Sequence, residues 1–65
     1  MILMTVRQVQ KVTGLSRTTI YRLMDLEEFP RPVKISASGR AVRWIESEIE
    51  EWIASRPRAE GVTAQ

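Results

Sequence analysis

Apolar residues change their spacing along the chain, and each change marks an element. Val6, Val9 and Val12 recur every three residues, the stripe of a short amphipathic helix, with Arg7, Gln8 and Lys11 off that stripe. Thr5 and Gln8 form a capping box at its start: the hydroxyl accepts from the third amide while the glutamine reaches back. Gly14 is placed to end it, because glycine takes the left-handed conformation most cheaply. The pattern predicts a helix over Val6–Thr13. Leu15 follows, and Ser16 is a good N-cap for a second helix predicted at Arg17–Leu26. Ile20, Leu23 and Met24 fall on one face of it, Thr18, Arg22 and Asp25 on the opposite face, and Thr19 and Tyr21 on the flanks. Upstream, Ile2–Met4 is either a short strand or an apolar lead-in.

The helical period breaks at Phe29-Pro-Arg-Pro32, where two prolines remove donors and restrict the residues before them. Val33-Lys-Ile35 then alternates apolar and basic, as a half-buried strand does. Ser36-Ala-Ser-Gly39 has turn chemistry, and Ala41–Trp44 reads as the returning strand, with Val42 and Trp44 inward and Arg43 outward. The two make a hairpin with Arg40 near its tip. Ile45, Ile49, Trp52 and Ile53 restore the helical period and predict a third helix over Glu46–Arg56, stopped by Pro57. Glu46, Glu48 and Glu50 in its first half suit the helix dipole. Residues 1–56 form one domain in this reading, and 57–65 a flexible C-terminal tail, small and polar from Arg58 on.

Size and composition narrow the function. A domain of 65 residues buries a small core, here expected around Trp44, Trp52 and Phe29, and has little room for an enclosed pocket of ~300 Å³ or more. There is no cysteine and no histidine, so thiolate nucleophiles, disulfides, Cys/His zinc sites and the commonest general base are absent. Glu46 and Glu50 lie one turn apart, but with no histidine or glycine-rich loop beside them they read as a solvated face. No catalytic residue, cofactor or metal is expected. Met1–Met4 is too short for a signal-peptide core or a membrane span, which fits the cytoplasm.

The net charge is only +2, but residues 1–44 carry eight basic and three acidic residues, whereas 45–65 carry two and five. A basic block beside an acidic one suggests that one face meets a polyanion. Helix, short glycine turn and helix match a helix-turn-helix, whose second helix enters the major groove. The plain alternative is a helical hairpin. Against it, the second helix presents Arg17, Thr18, Thr19, Tyr21 and Arg22 in its first half, side chains suited to base edges and phosphates. The free amides near Ser16 add an anion site. Lys34, Arg40 and Arg43, expected to point away from the core, would make the hairpin a wing on phosphates or a minor groove. An ordinary solvated strand face is the alternative there. A protein-interaction module without DNA binding is the rival from another class.

Three segments also resemble the AlpA-type phage and prophage regulatory proteins, over about residues 3–56. They are Thr13-Gly-Leu-Ser-Arg-Thr-Thr-Ile-Tyr-Arg-Leu-Met24, Phe29-Pro-Arg-Pro-Val-Lys34, and Val42-Arg-Trp-Ile-Glu-Ser-Glu-Ile-Glu-Glu-Trp52. That family is related to excisionases and more distantly to the DNA-binding domain of MerR regulators. The resemblance implies a mainly α winged helix-turn-helix with a small β-hairpin, and a bacterial, nucleoid-associated role in transcription regulation or prophage excision. It places the start of the recognition helix at Ser16–Arg22 and the wing at Lys34–Arg43. The partner would be double-stranded DNA, with neighbouring copies of the chain on repeated sites. The chain ends soon after the third helix, so neither the long dimerisation helix of the MerR relatives nor small-molecule sensing is expected.

Overall fold

A computed structural model describes residues 1–59; of the tail expected from residue 57, residues 60–65 lie outside the described residues. The order of elements is β1 (Leu3–Met4), α1 (Val6–Thr13), α2 (Arg17–Asp25), β2 (Val33–Lys34), β3 (Val42–Ile45) and α3 (Glu46–Ala54). The capping box forms: Gln8 N–H donates to Thr5 Oγ1 at 3.2 Å, and Thr5 N–H donates to Gln8 Oε1 at 2.8 Å. Gly14 closes α1 at φ 74°, its N–H donating to the Gln10 carbonyl at 2.8 Å.

The lead-in is a strand. β1 and β2 flank β3 in a three-stranded antiparallel sheet of order β1-β3-β2, with Met4 opposite Trp44 and Lys34 opposite Val42. The fold is therefore mainly α, with a small sheet of which the expected hairpin is two strands. β2 ends at Lys34, although Ile35 N–H still donates to the Ala41 carbonyl at 2.8 Å.

Every element except β2 contributes to one core: Met4, Val9, Ile20, Met24, Trp44 and Ile49, joined by Phe29 from the proline loop. Trp44 is fully buried, and its Nε1–H donates to the Pro30 carbonyl at 3.0 Å. Trp52 is half-buried, packs edge-on against Phe29 at 4.7 Å between ring centroids, and donates to the Glu28 carbonyl at 2.8 Å. Both tryptophans thus pin the loop between α2 and β2, each through its one polar atom.

Four expectations need correction. Val12 is exposed, because a three-residue spacing drifts around a helix of 3.6 residues per turn: Val6 and Val12 lie on either side of buried Val9. Val33 and Ile35 are not half-buried core positions. Pairing of Val33 with Arg43 puts both on the face turned away from Trp44, where Leu3 and Ile45 also lie. The same register separates the wing cations, since Lys34 lies on the helix-covered face of the sheet and Arg43 on the other. The third helix stops at Ala54 with a Ser55 cap, short of the expected Arg56.

The end of α2 carries a feature the sequence does not announce. Glu27 N–H donates to the Met24 carbonyl and Glu28 N–H to the Leu23 carbonyl, at 2.9 and 2.8 Å, closing a Schellman motif with Glu27 at φ 57°. Glycine is the usual occupant of such a position, as Gly14 is after α1. Nothing lies within 4 Å of a Cβ built on Gly14, so the cost of a side chain there is purely backbone strain. Gly14→Ala is expected to destabilise the domain by about 1 kcal/mol, a fall in Tm of roughly 4–8 °C. Glu27→Gly should shift the melting curve the other way. Thermal unfolding followed by circular dichroism checks both signs.

Candidate nucleic-acid interface

The turn between α1 and α2 is fixed by its own hydroxyls. Thr13 Oγ1 donates to the Val9 carbonyl at 2.7 Å and accepts from Leu15 N–H at 3.3 Å. Ser16 caps α2, accepting from Thr19 N–H at 3.1 Å while its own hydroxyl donates to Thr19 Oγ1 at 2.9 Å. These bonds fix the start of α2, with the Ser16 hydroxyl satisfying the Thr19 amide.

The side chains then sort by the helical period. Ile20 and Met24 are buried against Trp44 and its neighbours, and Leu23 packs at their edge. Arg17, Thr18 and Arg22 are exposed, whereas Thr19 and Tyr21 are half-buried. Thr19 is engaged by Ser16. Tyr21 lies edge-on to Trp44, with centroids 6.4 Å apart, and the Arg17 guanidinium carbon stands 5.7 Å from the centre of the Tyr21 ring. Of the five residues expected to form an outward face, three are exposed and two are half-buried against the scaffold.

Two basic residues that the sequence reading left outside the site join it. Arg7, Gln10 and Lys11 of α1 line an open cleft of about 530 Å³ with Gly14, Leu15 and Ser16. Arg7 and Lys11 stand one turn apart on α1, and the cleft they line ends at the N-terminus of α2. The signal was their i, i+4 spacing on the side of α1 away from Val9, which single-residue inspection of the second helix passes over. Two cations of α1 and the Ser16 cap of α2 thus border one shallow, open surface.

The hairpin is less uniform than expected. Gly39, at φ 77°, lets its turn pass close to Lys34, whose Cδ and Cε stand 3.7 Å from the position of a Cβ there. Lys34 therefore lies along the turn on the helix side of the sheet. Arg40 is exposed beside it. Arg43 folds back and donates from Nη1 to the Val42 carbonyl at 2.8 Å, half-buried on the reverse face.

A two-turn helix, a glycine turn fixed by hydroxyls, a second helix with an exposed basic face and a small antiparallel sheet behind it together define a winged helix-turn-helix. The chain belongs to the family described as prophage CP4-57 regulatory protein (AlpA), whose model matches residues 3–57. It is also similar to the protein called ORF88 of Enterobacteria phage P4, at 43% identity over 51 residues. That match covers 78% of this chain and 56% of the phage protein, so the chain spans a little over half the length of this relative. The family is a regulatory one of phage type, not an enzymatic one. No helix among the described residues is long and apolar enough to cross a membrane.

The geometry of the Ser16 cap makes a direct demand on stability. Ser16→Ala removes the acceptor for Thr19 N–H and should cost about 1 kcal/mol. Thr19→Val leaves that acceptor in place and should cost less. Urea unfolding of the two variants, compared at equal slope, measures the difference.

Proposed function

We propose that this protein is a sequence-specific, double-stranded DNA-binding regulator of transcription that acts on the bacterial nucleoid in the cytoplasm. The observation that carries the reading is the cleft of Arg7, Lys11 and Ser16 running into the exposed face of Arg17, Thr18 and Arg22. A phosphate in the cleft would meet two cations and the α2 amides, and so fix how α2 enters the major groove. Arg17, Thr18 and Arg22 then reach base edges, Arg22 with a guanine as its best partner. Ser16 and Thr19 set the start of the helix, and Tyr21 supports it. Lys34 and Arg40 grip the flanking backbone or minor groove from the helix side of the sheet, with Arg43 a weaker contributor because it lies on the reverse face.

The test is binding of short duplexes as a function of salt. Each lost phosphate contact lowers the slope of log K against log salt by about 0.9. Replacing Arg7 and Lys11 together by Gln should flatten the slope by nearly two such steps, on specific and random duplexes alike. Replacing Lys34 and Arg40 should flatten it as well. Arg22→Ala should instead cost about 1–3 kcal/mol at the selected site and much less on random sequence. A slope that none of these changes moves would remove DNA from the reading and leave a protein-interaction module.

A module this small covers roughly 600–1,000 Å² of DNA, little for selective binding beside a genome of competing sites. Copies on adjacent repeats would supply the rest. The acidic first turn of α3 (Glu46, Glu48) offers charge complementary to the basic wing of a neighbour, a head-to-tail contact that favours direct repeats. The free protein is then a monomer by sedimentation. Gel shifts on one, two and three direct repeats should show affinity per site rising with repeat number. A stable dimer in solution, or full affinity on one isolated site, would overturn this arrangement.

A further inference from the structure

We infer that Tyr21 works through Arg17: its ring holds the Arg17 guanidinium where that side chain reads a guanine, and the Tyr21 hydroxyl carries no contact to DNA. The inference rests on the DNA-binding reading and names how one of its base-reading residues is positioned.

Arg17 is the first residue of α2, and Tyr21 stands one turn further on. The N-terminal residues of the inserted helix are those that reach base edges in helix-turn-helix complexes. The Tyr21 ring cannot drift, because its edge rests against Trp44 at 75° between ring planes, and Trp44 is fully buried and hydrogen-bonded to the Pro30 carbonyl. The opposite side of this chain of contacts is the cation, 5.7 Å from the ring centre and within the range where a guanidinium is attracted to an aromatic face. An exposed arginine otherwise samples many rotamers, and ordering it opposes binding. A planar guanidinium already settled on a ring is ready for the two acceptors of a guanine edge. Among the described residues the other cation on an aromatic ring is Arg56 over Trp52, at the end of α3 and on no part of the basic face. Arg17 is thus the one arginine of the basic face seated on a ring that is itself tied to the core.

The experiment uses the duplex that the wild-type chain selects from a random pool, and a random duplex of equal length. Tyr21→Phe keeps the ring and should bind the selected duplex within about two-fold of wild type. Tyr21→Leu keeps bulk against Trp44 but has no aromatic face, and should lose about three- to five-fold on the selected duplex alone. Arg17→Ala should lose about ten-fold or more, and adding Tyr21→Leu to it should cost nothing further. In the free protein, the Arg17 side-chain protons should be shifted upfield by the ring in wild type and in Tyr21→Phe; this arm decides the matter even if Tyr21→Leu does not fold. Loss of selected-duplex affinity in Tyr21→Phe as large as in Tyr21→Leu would overturn the inference by giving the contact to the hydroxyl. Losses that multiply in the double variant, or unshifted Arg17 protons, would overturn it too while leaving DNA binding intact. A wild-type chain that selects no sequence overturns the DNA reading itself, and the inference with it.

Discussion

The burial of one indole organises this domain. Trp44 sits in the central strand, where Met4 of β1 opposes it, and its ring is enclosed by residues from every helix. An indole N–H in an apolar core must find an acceptor or cost a substantial part of the stability of so small a protein. The acceptor is the Pro30 carbonyl, so the loop after α2 is drawn onto the sheet. Proline lends itself to this position because it keeps its carbonyl while removing a donor that would otherwise need its own partner. The same ring supports Tyr21, so the placement of the helix that faces outward depends on a contact made on the far side of the core.

Charge is distributed by element. The cations of α1 and α2 gather around the glycine turn, while α3 follows β3 without a loop and carries carboxylates in its first turn. Those carboxylates favour the N-terminus of α3, which has no side-chain cap of its own, and Glu46 N–H is satisfied by the Ile2 carbonyl at 2.9 Å. Acidic residues that read as a solvated face therefore also stabilise the helix that bears them. The result is a small protein of low net charge with a pronounced electrical asymmetry, which orients it in the field of a polyanion.

The local elements were legible in the sequence wherever the signal was itself local. The capping box at Thr5–Gln8, the Gly14 stop and the Ser16 cap gave α1 its observed bounds, and α2 ended one residue early because Leu26 is its cap. Legibility failed where an outcome depends on distant partners. Whether Ile2–Met4 pairs with anything is decided some forty residues away, at Trp44 and Ile45. Which face Lys34 shares follows from its register against Val42, and register is not visible in a strand of two residues. Glu27 occupies a left-handed position without the glycine that would have announced it. At the candidate interface, the residues named on α2 were found at the start of one continuous helix, but the reach of α1 into the same cleft was not foreseen. It required knowing that α1 and α2 meet at the turn on the side where Arg7 and Lys11 project.

Pairing between β1 and β3 has a consequence for how the chain is made. β1 precedes its partner strand by some forty residues, so it is synthesised well before β3. Translation at ~5–20 residues per second leaves that first segment waiting for seconds. During that interval α1 and α2 have no Trp44 to enclose, and helices of eight and nine residues are marginal on their own in water. Neither helix is therefore expected to be stable before β3 and α3 have emerged to complete the core.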